Sequence, residues 1–329
     1  MKRIVLIPVG ACALFALTGC GGGKERHDVT EKYILVVANK KLSYWQSAAA
    51  GLMDAAKQMG VQAEVAGPDT YEPKEEVEAF ARTVDKNPSG ILVSAADAKM
   101  LQASIDSAVA KGIPVITMDS DSPGSKRLTF VGTNNYLAGQ MGGRVAAKAL
   151  GGKGNVVVYT MPGQTNLEER LDGYKTVFAQ NPGIKIVETV DVHGDPRIAF
   201  DRTKEILQQG KLKPDGFVCL EATACAEVAE VLSREKATGK VVVAMDAAPE
   251  TLEGIQKGLI NATIAQKPYS MAFYGLKVLD DLYHYKPAKL DADGAMDSKA
   301  HLPNFIDTGA QLVDKGNVDA FLKAITPAQ

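Results

Sequence analysis

Gly112-Ile113-Pro114-Val115-Ile116-Thr117-Met118-Asp119 is the stretch on which the fold turns. Residues 97–111, just before it, carry apolar side chains at helical spacing, and Gly112 is the residue type that ends a helix in a left-handed turn. Ile113-Pro114 opens the next element, and residues 115–118 form an almost unbroken apolar run. A strand with one face in water alternates polar and apolar residues. A run without alternation marks a strand covered on both faces, as in a parallel sheet packed between helices.

The same unit recurs in both directions along the chain. Strands are expected at 33–38, 61–66, 90–94, 114–118, 129–131, 155–159, 185–190, 216–220, 241–245 and 262–265, most of them continuous apolar runs. Amphipathic helices lie between them; in 72–85, Val77, Phe80, Ala81 and Val84 share one helical face. Strand–helix alternation of this kind implies βαβ units with right-handed crossovers, an α/β fold. Ten strands in 329 residues fit two sheets of five or six better than one. The Gly132-Thr133-Asn134-Asn135 turn is the best candidate for a passage between two domains. Residues 291–301 read as a loop, and 302–324 as a returning extended segment with a short helix.

The N-terminus is an export signal. Lys2 and Arg3 precede an apolar stretch, residues 4–17, that is too short to span a bilayer as a stable helix. Leu17-Thr18-Gly19-Cys20 follows and resembles the bacterial lipobox, in which the cysteine is acylated after cleavage. Residues 1–19 are therefore expected to be a signal peptide and 20–32 a flexible tether beginning Gly21-Gly22-Gly23. Cleavage removes Lys2 and Arg3 from the 37 basic residues, leaving 35 to face 39 acidic ones, so there is no electrostatic case for a nucleic-acid partner. The expected location is the periplasm or cell surface, with a lipid anchor in the membrane. Cys219 and Cys225, six residues apart, match neither a redox nor a zinc pattern and read as two buried thiols, a disulfide being the alternative.

Signals of catalysis fail one by one. Gly151-Gly152-Lys153-Gly154 lies between a helix and a strand, the reverse of a phosphate-cradling loop. No nucleophile elbow is present, and no histidine pair has metal-ligand spacing. His27 falls in the tether, His284 near the end of a surface helix, and His193 and His301 in loops. The chain is read as a non-enzyme without cofactor or metal, and as a monomer.

What recurs is a polar or aromatic residue just beyond the C-terminal end of a strand, the edge at which open α/β sheets bind ligands. Asn39, Tyr44 and Trp45 follow the first strand, and Asp119 and Asp121 the fourth. Asn166 and Arg170 follow the sixth, Glu221 the eighth, Asp246 the ninth and Gln266 the tenth. Carboxylates accept hydroxyl hydrogen bonds, Arg and Asn donate, and an aromatic ring covers the apolar face of a sugar. Singly, each has a structural alternative: Asp119 or Asp246 as a helix cap, Tyr44 and Trp45 as packing. Jointly, they read as a ligand site.

These stretches also carry a resemblance. Residues 34–38 leading to Tyr44-Trp45, 112–119, Val131-Gly132-Thr133-Asn134-Asn135, Glu169-Arg170-Leu171-Asp172-Gly173-Tyr174, 241–246 with Pro249, and Ala262-Thr263-Ile264-Ala265-Gln266 resemble the ribose-binding-like, type I periplasmic sugar-binding proteins of ABC importers, over nearly all of 33–324. The resemblance implies two Rossmann-like domains with parallel sheets, joined by a three-crossing hinge and closing on a ligand. It places the crossings near 132–135, 266–268 and 297–304, and the lobes at 33–133 plus 267–298 and 134–266 plus 299–325. It implies an aromatic clamp of Tyr44 and Trp45, a hydrogen-bonding set of Asp119, Arg170, Asp246 and Gln266, and delivery of a sugar or polyol to an ABC permease. Ser120-Asp121 stands where ribose binders have an arginine after the aspartate, and Leu220-Glu221-Ala222 where they have Asn and Asp. Lys41-Leu42 replaces common asparagines. Ribose itself is therefore not implied; the added carboxylates suit a polyol, another sugar or a cationic ligand. A sensory protein presenting its ligand to a membrane receptor would share all of these features. Asp246 and Arg170 are expected to face one ligand from one lobe, neither having a structural partner nearby in sequence.

Overall fold

The computed structural model describes residues 27–285 and 302–325, so the expected leader, Cys20 and the whole of the expected loop at 291–301 lie outside the described residues. The order of elements in the first half is β1 (Lys32–Val36), α1 (Ser43–Met59), β2 (Gln62–Ala66), α2 (Pro73–Asp85), β3 (Gly90–Val93), α3 (Ala98–Ala110), β4 (Val115–Met118) and β5 (Phe130–Gly132). The second half repeats it with α4 (Asn135–Ala149), β6 (Lys153–Thr160), α5 (Thr165–Ala179), β7 (Gly183–Asp191), α6 (Pro196–Gln209), β8 (Gly216–Cys219), α7 (Ala224–Arg234), β9 (Val241–Met245), α8 (Pro249–Lys257) and β10 (Ala262–Ala265). The chain ends with α9 (Pro268–His284), β11 (Phe305–Asp307), β12 (Gln311–Asp314) and α10 (Val318–Ile325).

Local chemistry explains the boundaries. Asp97 caps α3, its carboxylate accepting from the backbone N–H groups of Lys99 and Met100, and Asn134 caps α4 through Leu137 N–H. Pro196 and Pro249 stand in the first turn of α6 and α8, where their missing N–H costs nothing. The continuous apolar runs do form strands buried on both faces: every residue of β3, β4, β8, β9 and β10 is buried.

Two six-stranded sheets result, ordered β2-β1-β3-β4-β5-β11 and β7-β6-β8-β9-β10-β12. The first five strands of each follow the same doubly wound order, and all their pairings are parallel. In the first sheet Tyr33 pairs with Ala63 on one side and Gly90 on the other, which makes β1 the point where strand order reverses. Each sheet carries apolar clusters on both faces. Leu35, Leu52 and Leu276 lie in one cluster of the first lobe and Ile34, Phe80 and Ile105 in the other. Phe217 and Val242 serve the second lobe on one side, Val156 and Tyr174 on the other.

The chain passes between the lobes at 133–134, 266–267 and 308–310. The third passage differs from the expected 297–304, and the segment 299–325 does not belong wholly to the second lobe. β11 adds parallel to β5 in the first sheet, with Phe305 opposite Phe130, before β12 joins β10 antiparallel in the second. The first and third passages are tied together, Thr308 donating from its backbone N and its hydroxyl to the Gly132 carbonyl at 2.8 and 3.0 Å. Residues 27–31, expected in the tether, are instead bonded to the first lobe: Glu31 is buried with its carbonyl accepting from Gln62 N at 2.8 Å, and Gln62 Nε2 donates to Val29 O at 2.8 Å. Cys219 and Cys225 are not free thiols but a disulfide. The four-residue reversal between β8 and α7 brings their Cα atoms to 5.6 Å, inside the range a bridge requires.

Candidate ligand-binding cleft

The C-terminal edges of the two sheets face one another and enclose a cavity of about 590 Å³, its open mouth included. Nine of the ten residues singled out in the sequence line it: Asn39, Tyr44, Trp45, Asp119, Asn166, Arg170, Glu221, Asp246 and Gln266. The first four come from the first lobe, Asn166 through Asp246 from the second, and Gln266 from the second passage.

Asp119 and Asp246 occupy equivalent places, directly after β4 and β9. Both have left-handed backbones, with φ of 62° and 68°. Each is pinned there by its own N–H, Asp119 bonding to Val131 O at 3.2 Å and Asp246 to Ile264 O at 2.9 Å. A non-glycine residue in this region costs of order 1–3 kcal/mol and persists only where its surroundings dictate it. The conformation turns each carboxylate out of the sheet edge into the cavity. Asp119 accepts from Tyr44 Oη at 2.6 Å, from Ser94 Oγ at 3.3 Å and, across the cleft, from Asn166 Nδ2 at 3.2 Å. Asp246 accepts from Gln266 Nε2 at 2.9 Å. Glu221, two residues before the N-cap Thr223 of α7, accepts from Ala224 N at 2.6 Å and from the Thr223 N and hydroxyl at 2.7 Å.

Arg170 is the cation among these acids. It is 2% exposed, and α5 can carry it so deep because α4 and α5 touch backbone to backbone: a Cβ on Gly139 would overlap the Arg170 carbonyl oxygen. Its Nε donates to Asn135 Oδ1 at 2.9 Å and its Nη1 to Leu220 O at 2.7 Å. The expectation that it lacks structural partners nearby in sequence is met only in the literal sense, because the partners come from 35 and 50 residues away. Among the described residues its Nη2 is buried without a hydrogen-bond partner, and so is Gln266 Oε1. A donor and an acceptor left open at the cleft wall are what a polar ligand would satisfy.

Burial dominates the electrostatics. It raises the Asp119 and Glu221 carboxyls above the usual carboxylate range despite Arg170 and their hydrogen bonds. It pushes Asp246 up to about 7, Arg170 and Gln266 opposing and the charges of Asp119 and Glu221 adding. The Tyr44 hydroxyl is likewise raised, by burial first and then by Asp119 and Asp246. One guanidinium thus stands among three buried carboxyls. Trp45 and Tyr44 form an edge-to-face pair with centroids 5.0 Å apart, and Trp45 is rooted in the first lobe's core, so the aromatic wall is rigid.

Asp121 does not belong to the cleft. Its carboxylate turns back to Arg127, accepting from Nε at 2.9 Å and Nη2 at 2.7 Å, and Thr117 Oγ1 adds a third bond at 2.5 Å. Position after a strand placed it among the candidates; a guanidinium six residues on claims it. Its backbone still serves the lobe contact, bonding Thr165 Oγ1 through N at 3.1 Å and O at 2.9 Å. Sequence reading missed Leu42, Tyr71, Met161, Gln164 and Thr223 on the cavity wall. Tyr71 follows β2 and Met161 follows β6, so the rule that found the others reaches these two as well. Gln164 Nε2 donates to Tyr71 Oη at 3.3 Å, a further bond between the lobes.

A family model described as periplasmic binding protein domain matches residues 33–286. The D-allose-binding periplasmic protein of Escherichia coli is 26% identical over 261 residues, 76% of this chain and 84% of that protein. Among solved structures, AraP, an arabinose binding protein from Geobacillus stearothermophilus, is 31% identical with a TM-score of 0.73, covering 89% of this chain and 99% of that one. An ABC transporter solute binding protein from Burkholderia graminis, in complex with D-arabinose, is 28% identical with a TM-score of 0.79, covering 88% and 98%.

Proposed function

The chain belongs to the periplasmic binding protein domain family, and from that premise we propose that it captures a sugar or sugar-like polyol in the cleft and delivers it to an ABC permease. The observation that carries the reading is the convergence, from both lobes, of Asp119, Asp246 and Arg170 with the open Nη2 and Gln266 Oε1 beside an aromatic wall. Carboxylates that accept hydroxyl protons and a guanidinium that donates to hydroxyl or ring oxygens match the alternating donors and acceptors of a polyol. Each such charge-assisted bond is worth about 1.5–3 kcal/mol. Trp45 offers a flat surface to the C–H face of a sugar ring.

The names of the relatives, with allose and arabinose among them, support a monosaccharide. The surplus of carboxyl groups favours a ligand rich in hydroxyl donors over an anionic one. Leu17-Thr18-Gly19-Cys20 supports export and acylation at Cys20, which would hold the protein at the membrane close to its permease. Calorimetric titration with arabinose, allose, ribose, xylitol and arabinonate tests the ligand class. Binding of at least one neutral sugar or polyol at micromolar concentration, with arabinonate far weaker, is expected. No binding across the neutral panel at millimolar concentration rejects the reading. For the anchor, Cys20→Ser should leave the protein unacylated and removable by carbonate washing; equal membrane retention of the variant and the original chain would argue against acylation.

A further inference from the structure

We propose that His27, Glu31, Asp280 and His284 form a zinc site that fastens the N-terminal segment to the base of the first lobe. The four groups come from two segments distant in sequence. His27 and Glu31 lie just before β1, while Asp280 and His284 stand one turn apart in the last turns of α9. The cluster therefore sits at the N-terminal edge of the first sheet, whereas the cleft lies at its C-terminal edge, and the proposal does not depend on what the cleft binds.

The geometry is that of a coordination shell. One donor atom from each residue lies within 4.8 Å of all the others. His27 Nδ1 is 3.3 Å from His284 Nε2, 3.4 Å from Glu31 Oε2 and 3.4 Å from Asp280 Oδ1. His284 Nε2 is 3.0 Å from Glu31 Oε2 and 3.6 Å from Asp280 Oδ1. A tetrahedral zinc with bonds of about 2.0–2.1 Å to nitrogen and oxygen has ligand–ligand edges of about 3.3–3.4 Å. Five of the six edges scatter around that length, and the sixth, between the two carboxylate oxygens, is within 4.8 Å. Direct pairing accounts for the set less well. Two imidazole nitrogens facing each other at 3.3 Å can share at most one proton, and the same two nitrogens also face both carboxylate oxygens. A cation at the centre satisfies all four at once, and two carboxylates balance its double charge.

The surroundings hold the ligands as metal sites require. Tyr33 Oη, from fully buried Tyr33 on β1, donates to Asp280 Oδ1 at 2.9 Å. The backbone N–H of Asp28 donates to Glu31 Oε1 at 2.6 Å, fixing the carboxylate whose other oxygen faces the histidines. Glu31 is 4% exposed, and His27 and Asp280 are each 15% exposed. Four protein ligands leave no open position, so the site is structural rather than catalytic. Two histidines and two carboxylates suit zinc better than calcium or magnesium, which take all-oxygen shells. The histidines escaped the sequence reading because no His–His spacing links them: they stand 257 positions apart.

The test uses the full chain, purified without a histidine tag and stripped with a chelator. Zinc titration should show one equivalent bound per chain, with a rise in melting temperature that the chelator reverses. Cobalt(II) should give the intense visible bands of a tetrahedral site. His284→Ala and His27→Ala should each weaken zinc binding more than a hundredfold, and Tyr33→Phe, which removes only the outer hydrogen bond, by about tenfold. Circular dichroism in chelator establishes that the variants are folded. Failure of the unsubstituted chain to take up zinc at 100-fold molar excess overturns the proposal whatever the variants do. Uptake that persists unchanged in both histidine variants overturns it equally.

Discussion

Replacing Asp246 by asparagine removes one charge from the cleft while keeping the shape of the side chain and an oxygen to accept from Gln266 Nε2. Burial holds the carboxyl at about 7 in the folded protein, against about 3.9 for an unperturbed aspartate. Between these values the folded state keeps a proton that the unfolded chain has lost, so stability falls as pH rises, and the loss is complete above about pH 7. At about 1.4 kcal/mol per decade, it amounts to about 1.5 kcal/mol at pH 5 and about 4 kcal/mol at pH 8. Asp246→Asn escapes it. Without ligand, the variant should therefore be more stable than the original chain at both pH values, with an advantage that widens by about 2.5 kcal/mol from pH 5 to pH 8. Opening of the lobes lets water reach the carboxylate, so this figure is an upper bound. The variant should at the same time lose about tenfold to a hundredfold in affinity for its sugar, having lost a charged acceptor. Urea unfolding at the two pH values and calorimetric titration read both effects. A variant that unfolds with the original chain at every pH, or earlier at pH 8, would show that Asp246 is a structural anion, and the reasoning would fail.

Arg170→Ala should lower both stability and affinity, since the guanidinium bonds Asn135 and Leu220 as well as facing the cavity; the stability cost is about 2–4 kcal/mol by urea unfolding. Tyr44→Phe breaks the bond to Asp119 and should weaken binding about tenfold by calorimetry, with little change in melting temperature. Asp121→Asn should do the reverse, costing about 3 kcal/mol by leaving Arg127 without its charge partner and leaving affinity within about twofold. A hundredfold affinity loss in Asp121→Asn would return that residue to the site.

The ten expected strands are present because their signal is local: a parallel strand between two helical layers must be apolar throughout, and residues such as 241–245 have no other use. The cleft residues were legible for a related reason. A residue just past the end of a parallel strand is carried to one edge of the sheet, whatever the rest of the chain does. What escaped depends on contacts between distant segments. Asp121 has the same position relative to its strand as true cleft residues, and only the turn that returns Arg127 decides where its carboxylate points. β11 is three residues long with two of them exposed, so no apolar run announces it, and the third passage was placed too early. The disulfide depends on how sharply the chain reverses after β8, which a six-residue spacing does not encode. Left-handed backbones at Asp119 and Asp246 have no sequence signal either, since aspartate at a strand end is as common in caps.

Those two aspartates also explain why closure should wait for a ligand. Asp119 belongs to the first lobe, while Asp246, Glu221 and Arg170 belong to the second. Bringing the lobes together moves the Asp119 carboxylate towards two others and strips water from all three, with one guanidinium to offset them. Hydrogen bonds such as Asn166 to Asp119 and Gln164 to Tyr71 reward closure, but they are few and mostly neutral. Hydroxyl groups of a bound sugar donate to the carboxylates and replace the lost water, so the closed state is favoured when the cleft is filled and opposed when it is not. The same surplus of acid selects among ligands, since a molecule that brings only acceptors leaves the carboxylates uncompensated. Ligand-free opening should accordingly be weakest at low pH, where Asp246 takes up a proton and one of the opposing charges disappears. Solution scattering of the ligand-free chain should show a smaller radius of gyration at pH 5 than at pH 8, and Asp246→Asn should remove most of that difference. A radius independent of pH in both proteins would mean that contacts other than these carboxylates govern the hinge.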